Sequence, residues 1–403
     1  MSPENIWKWA QIKGISVIGT GDFTHPIWIE ELRGKLDPAG NGLFRLKKIF
    51  HSHDVPPSCR SDVSFVLSSE VSCIYRKYDK TRKIHSVILV PGFDDAFRIN
   101  SALSKIGNLK SDGRPILGLD AKELLRTVIE NSSDSMLVPA HAWTPHFSIF
   151  GSAYGFDSME ECFEELSPHI HAIETGLSSD PAMNWRLSAL DGVTLLSNSD
   201  AHSPVKIGRE ANIFDTEITY PSMMDAIRTR KGVAGTIEFF PEEGKYHYDG
   251  HRNCGVSLTP DETVRHNYLC PVCGKKMTIG VMHRVGKLAD RAEGFRPADS
   301  PPYQSIIPLA EIISETLQVG IGSKAVTTMY FSLIEKLGNE FRILIETPLD
   351  DIEKAGSPLL REAISKMRLG HVTVTPGYDG EFGKIKIFEK TGKKKTRSER
   401  PLF

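Results

Sequence analysis

Residues 193–202 read VTLLSNSDAH. An apolar run gives way to small polar residues, then to an Asp and a His two positions apart. A run apolar on both faces is a buried strand, and the polar residues mark its carboxyl end. The same rhythm recurs through the first 240 residues. ISVIGTGD (15–22) ends on Asp22, and SFVLSSE (64–70) on Glu70. HSVILVPG (85–92) opens on His85, SMLVPAH (135–141) ends on His141, and HAIETG (171–176) holds Glu174. Helix-like segments lie between them: 5–13, stopped by Gly14; 121–130; a stretch opening at Pro181, where proline suits a first turn; and 221–231. Repeated strand–helix units predict an α/β fold with a parallel sheet, open or closed. Chemistry in such folds gathers at the carboxyl ends of the strands. Asp22, Glu70, His141, Glu174, Asp200 and His202 all fall there. Any one alone is more ordinarily a cap or a satisfied core histidine; jointly they read as a metal site.

The 403 residues suit two or three domains. With 49 Lys and Arg against 51 Asp and Glu, the net charge is -2. That excludes a uniformly basic nucleic-acid binder but not a local basic groove. No apolar stretch approaches ~18 residues, so no membrane-spanning helix is expected. The opening MSPENIWKWAQIKG has neither the basic start nor the apolar run of a signal peptide. Six Cys are too few for a disulfide scaffold, and a cytoplasmic location follows as the expectation.

A second metal signal lies downstream. His251-x2-Cys254, fifteen residues, then Cys270-x2-Cys273 matches a two-knuckle zinc template with His in the first Cys slot. His247 and His283 are rivals for the fourth ligand. A closed four-ligand site is more often structural than catalytic. Cys59, Cys73 and Cys162 read as reduced packing residues. The composition changes near Phe239, and from about Ala289 the pattern is helical, with LAEIISETLQ (309–318) and residues 352–367 at helical spacing. TVTPGYDGEFGKIKIF (373–388) reads as a hairpin, and the basic run 390–400 as a solvated tail or a phosphate-binding arm. The expected organisation is 1–240, 241–288 and 289–403. Gly19-x-Gly21 lacks the third glycine of a dinucleotide loop, and no P-loop is present, so helicase activity is rejected.

GTGDFTH, SSE, IHSVILVP, PAH and NSDAH together resemble the PHP superfamily of polymerase-associated and histidinol phosphatases. That resemblance implies a distorted TIM-like (β/α)7 barrel whose His, Asp and Glu side chains hold up to three ions for phosphoester hydrolysis. GTGDFTHPIW, IETGLSSDPAMNWRLS, NSDAHSP, the GHRNC…CPVCGK cluster, HRVGKLADR and PGYDGEFGKI, in one order over nearly the whole chain, resemble endonuclease Q. This family implies a PHP barrel, a small zinc-binding domain and a helical C-terminal domain. It implies nicking of DNA 5′ of deaminated bases (uracil, hypoxanthine, xanthine) and of abasic sites, leaving 3′-hydroxyl and 5′-phosphate ends. By that resemblance Glu70 is a bridging ligand, and His85, His141 and Asp200 are terminal ligands. His202 with Asp22 or His25 holds a third ion, and Asp200, Glu70 and His141 are catalytic. Structural Zn2+ sits at His251, Cys254, Cys270 and Cys273, and Mg2+, Mn2+ or Zn2+ at the catalytic site. The family's opening DLHxHS strand has no counterpart here, and His51-Ser52-His53 is read as a decoy for it. His146 stands where the family suggests an aromatic.

DNA carrying damaged bases is the expected partner, with no membrane role. Glu174 and Arg209 are candidate substrate contacts, GLSSDPAMNW (176–185) the candidate base pocket, and RKYDKTRK (76–83) a candidate phosphate contact. A sliding clamp is a partner for part of the family, although no clear clamp-binding peptide precedes the PLF end. Two other readings compete: a PHP phosphoesterase acting elsewhere, which would need neither accessory segment, and a DNA-binding protein impaired by the absent first motif.

Overall fold

The computed structural model describes residues 1–111 and 113–388. The first helix, Pro3–Lys13, is capped by the Ser2 side chain and closed by Gly14 in the left-handed conformation (φ 92°). Eleven strands follow before the cysteine segment: β1 Val17–Gly19, β2 Leu36–Pro38, β3 Phe44–Leu46, β4 Ser64–Lys77, β5 Lys80–Val90, β6 Ile116–Leu117, β7 Met136–Pro139, β8 Ala172–Glu174, β9 Thr194–Leu196, β10 Ala211–Phe214 and β11 Val233–Glu238. The strand-bearing segments foreseen in the sequence are all strands.

Their directions differ from the expectation. The main sheet runs β2-β3-β4-β5-β7, with β1 and β6 also on β4. β4 pairs antiparallel with β5, and β5 antiparallel with β7; only β1 and β6 join β4 in parallel. The cause is local. Tyr78 and Asp79 both take left-handed backbone angles (φ 51° and 57°), making a two-residue turn whose twist suits a hairpin. β4 therefore continues past Glu70 to Lys77, and Glu70 and His85 lie inside strands rather than at their ends.

The remaining strands continue the arc through side chains and single bonds. Ala142 N–H donates to the Glu174 carbonyl at 3.0 Å, linking β7 to β8. β8 and β9 pair in parallel. Asn212 bridges the Ser197 N–H and C=O at 2.8 and 3.0 Å, joining β9 to β10, which pairs antiparallel with β11. The fold is α/β, and no closed sheet forms among the described residues.

Residues 373–375 and 384–386 form the expected terminal hairpin. The basic run 390–400 and the PLF end lie outside the described residues. Four helices, Leu309–Leu317, Lys324–Leu337, Leu349–Ala355 and Pro358–Arg368, share one apolar core with the first helix and the main sheet. The anchor is a buried ion pair. Lys13 Nζ lies 2.5 Å from Glu340 Oε2, which also accepts from the Tyr330 hydroxyl; Glu340 Oε1 accepts from the Leu309 N–H at 3.0 Å. Such a pair holds when every lone pair has a donor, and breaking it strands a charge. Glu340→Ala should lower unfolding stability by about 3–5 kcal/mol, read in urea melts. A loss below about 1 kcal/mol would remove the pair from its anchoring role.

Candidate metal centre

Glu70 pairs with Val87 across the hairpin, and His85 pairs with Ser72. The two are therefore diagonal neighbours on one face, within side-chain reach. His85 Nδ1 lies 2.9 Å from Glu70 Oε1 and 3.1 Å from His141 Nε2, and His141 Nε2 lies 3.4 Å from the same oxygen. The three ligand atoms converge within 4.8 Å. His141 Nδ1 faces Thr144 Oγ1 at 3.1 Å, which turns Nε2 toward the centre. Burial by itself would raise Glu70, but His141, His85 and Arg114 hold its carboxyl well below the usual carboxylate range. Burial lowers His85, while His141 is raised because Glu70 outweighs its burial. Glu70 Oε1 is buried, and although nitrogens surround it no N–H is aimed along its lone pairs. One carboxylate and two imidazoles facing one point, with an unsatisfied oxygen, fit a divalent metal ion.

The other foreseen residues ring this centre less tightly. Asp200 Oδ1 lies 3.8 Å from His202 Nδ1, whose side chain is 73% exposed. Asp22 is raised by burial and by the Glu70 charge, and lies within the field of His25 and His202. His25 precedes helix Pro26–Lys35 as its N-cap, without a side-chain capping bond. Asp22, His141 and Asp200 all hold left-handed backbone angles (φ 48°, 30° and 41°), uncommon for non-glycine residues and concentrated at functional sites.

Glu174 does not join the ligands. Its carboxylate accepts the His141 N–H at 3.1 Å and the Asn198 amide at 2.8 Å, and burial pushes it up to about 7. It positions His141. Half-buried Arg209 donates to the carbonyls of Ser199 and Asp200 at 2.8 and 3.3 Å, shaping that turn. In the run 76–83, Lys77 is tied to Glu164 at 2.8 Å and Arg82 is buried against the Gly155 carbonyl, so these two are structural. Asn184 is a core residue receiving the Trp143 indole N–H at 2.8 Å. His51 stacks on Trp7 at 4.3 Å and bonds the Leu46 carbonyl, away from the centre. His146 sits between Tyr154 and Tyr246.

Three residues escaped the sequence reading. Arg114 places Nη1 2.9 Å from Glu70 Oε1 and 2.5 Å from His85 Nδ1, with Nη2 3.9 Å from Asp200 Oδ1. No motif marks it. Glu210 and Glu238 are buried carboxylates that hold the segment beside His141: Glu210 accepts the Leu177 backbone N–H, and Glu238 the Thr175 side-chain hydroxyl, both at 2.8 Å. Between them Gly176 (φ 54°) leaves room for His141; a Cβ there would lie 2.6 Å from the His141 Cα.

His251, Cys254, Cys270 and Cys273 also converge, with Cys273 Sγ 3.7 Å from His251 Nδ1. Burial opposes ionisation of Cys270, but the N–H groups of Cys273 and Val272 keep its thiol below the ordinary value. The rival ligands are engaged elsewhere: His283 Nδ1 meets Asp249 Oδ2 at 2.6 Å, and His247 is buried outside the cluster. Cys59, Cys73 and Cys162 are buried free thiols.

Gly176→Ala should push His141 off the centre. Metal affinity by calorimetric titration should fall about tenfold or more, with about 1–3 kcal/mol lost in urea unfolding. An unchanged isotherm would detach Gly176 from the site.

Residues 308–371 match the family described as the MJ0043 C-terminal domain. The chain is 35% identical over 253 residues to the uncharacterized protein MJ0043 of Methanocaldococcus jannaschii, covering 61% of this chain and only 31% of that protein. It is 28% identical over 388 residues to the uncharacterized protein YqxK of Bacillus subtilis, covering 93% and 89%. Among solved structures, the lesion-specific endonuclease PfuEndoQ of Pyrococcus furiosus superposes with a TM-score of 0.82 at 30% identity, covering 96% of this chain and 90% of that one. Endonuclease Q bound to a 27-mer duplex with an abasic lesion at its active site gives 0.83 at 30% identity, covering 96% and 92%. Sharing both sequence and backbone with those structures along nearly its whole length, the chain belongs to the endonuclease Q family.

Proposed function

We propose that this chain is a metal-dependent DNA repair endonuclease that nicks 5′ of deaminated bases (uracil, hypoxanthine, xanthine) and of abasic sites. The observation that carries this reading is the convergence of Glu70, His85 and His141 on one point, in a chain of this family. The relative captured on abasic duplex DNA supports the lesion class. In this reading Glu70, His85 and His141 hold the first ion, and Asp200, His202, Asp22 and His25 complete a polynuclear site. Divalent ions bound there supply Lewis acidity and neutralise phosphate charge. The chain's own residues do the rest. Glu174 and Gly176 hold His141 in place, and Thr144 sets its tautomer. The burial of Glu70 and His85 excludes water that would screen the phosphate's field.

The division into a distorted (β/α)7 barrel over 1–240, a zinc-binding domain over 241–288 and a helical domain over 289–403 belongs to the same proposal. So does structural zinc at His251, Cys254, Cys270 and Cys273, where paired turns bring three thiols and an imidazole within 4.8 Å of one another.

Strand nicking tests the activity. Matched duplexes carry uracil, hypoxanthine, an abasic site or no lesion, with Mg2+ or Mn2+. A cut 5′ of each lesion, absent from the control, is expected. Glu70→Gln and Asp200→Ala should each lower nicking on the order of 10²-fold or more, because even an outer partner of a ligand is worth 10–100-fold. DNA affinity should change little in Asp200→Ala. Full-rate nicking by both variants would overturn the site. For the cysteine cluster, the wild type should release zinc to a chromogenic chelator after thiol modification, and Cys270→Ser should release none and melt at lower temperature. Equal melting curves would argue against a structural ion.

A further inference from the structure

The Arg114 guanidinium stands in the space that a metal ion would need. Nη1 lies 2.9 Å from Glu70 Oε1 and 2.5 Å from His85 Nδ1, so it and an ion at that point exclude one another. Nη2 lies 3.9 Å from Asp200 Oδ1. The side chain is three-quarters buried, at 24% exposed. A guanidinium cannot shed its charge by losing a proton, unlike lysine or histidine. Once an ion takes Glu70 and His85, Arg114 is a half-sequestered cation beside new positive charge. Asp200 and, at longer range, Asp22 are its remaining carboxylates, and both are themselves candidate ligands. If the ions take those carboxylates too, an incoming anion is the natural partner for the guanidinium.

We propose that Arg114 is the substrate-phosphate clamp of this site, and that the same guanidinium holds Glu70 and His85 until a metal ion displaces it. The inference rests on the metal-centre reading above. The anion brought by a nucleic-acid substrate is the phosphodiester, whose two free oxygens match the planar fork of arginine. The geometry allows the exchange without backbone motion. Arg114 sits two residues before β6, and the adjoining Pro115 carbonyl accepts the Ser72 N–H at 2.9 Å, pinning the main chain to β4 beside Glu70. The long side chain can swing from that fixed root while staying beside Asp200. Arg114 thus couples the two occupants: metal binding releases the cation that the phosphate needs. Coupling of this kind is reciprocal, so phosphate should tighten metal binding as much as metal tightens phosphate.

The test uses the full chain, stripped with chelator and titrated with Mn2+ by calorimetry. Wild type, Arg114→Gln, Arg114→Lys and Glu70→Gln are compared. Affinity for a lesion duplex with a non-hydrolysable linkage is then measured against salt in the presence of Mn2+. Arg114→Gln should bind Mn2+ more tightly, by roughly 5–150-fold, since a competing cation is gone. The same variant should bind the duplex more weakly, with the salt slope reduced by about one. Arg114→Lys should recover most of the slope but little of the affinity, because an ammonium keeps the charge without the fork. Unchanged or weaker Mn2+ binding in Arg114→Gln, or an unchanged salt slope, would overturn the proposal. The Glu70→Gln arm separates the two levels. If it abolishes Mn2+ binding while Arg114→Gln does nothing, Arg114 alone is misassigned. If it leaves the isotherm intact, the metal centre falls and the clamp falls with it.

Discussion

Four other strands take their place from the backbone of Ser64–Lys77. β1, β3, β5 and β6 all hydrogen-bond to it. Fourteen residues of extended chain span roughly 46 Å, enough to receive several short partners end to end on two edges. This pairing brings the site together. β1 delivers the Asp22 turn, whose Gly21 and Phe23 N–H groups meet the Ser68 hydroxyl and carbonyl. β5 delivers His85, and β6 the root of Arg114. Glu70 stands on the strand itself, where they converge. Moving the register by one residue would turn Glu70 to the other face and dissolve the centre.

The electrostatics follow from burying acids at that convergence. Glu70, Glu174, Glu210 and Glu238 are all largely sequestered from water. Desolvation raises Glu174 and Glu238 to about 7, and Glu210 is raised by burial and by Glu238. Glu70 goes the other way because imidazoles and a guanidinium face it. The site divides its carboxylates accordingly: the one kept ionised faces the His85 and His141 imidazoles, while the raised ones hold backbone and side-chain donors near His141. Left-handed backbone at Asp22, His141 and Asp200 carries a conformational cost of order 1–3 kcal/mol each, tolerated because neighbouring hydrogen bonds over-determine it. The Arg209 bonds to the Ser199 and Asp200 carbonyls are one such restraint.

This layer is braced from outside. The C-terminal helices share the main core, tied through Lys13 and Glu340. The segment after the cysteine cluster is joined by Arg284, which donates to the Phe150 and Phe156 carbonyls and pairs with Asp157 at 2.6 Å. These bonds brace the loop that follows His141. A rigid support for a strained loop is what a preorganised site requires.

Much was legible in the sequence because it is written locally. Apolar runs ending in polar residues located the strands, Gly14 the first helix's end, and the His-x2-Cys…Cys-x2-Cys spacing the second cluster. Glu70 and His141 were nameable from their places beside those runs, and His85 from the family resemblance. Strand direction was not legible. Antiparallel pairing of β4 with β5 depends on two left-handed residues at Tyr78 and Asp79, a turn chemistry that composition signals weakly without an Asn-Gly or Asp-Gly pair. For the same reason Glu70 was taken for a strand end, and Lys77 and Arg82, both engaged within the fold, stood among the candidate phosphate contacts. Arg114, Glu210 and Glu238 carried no local signature, since an arginine or glutamate in an ordinary polar stretch looks the same whether solvated or aimed at a buried carboxylate. The sequence alone determined which chemistries the chain carries and roughly where along it they lie. Tertiary structure decided which of them meet, because convergence is set by register between segments tens of residues apart, and no local periodicity encodes that.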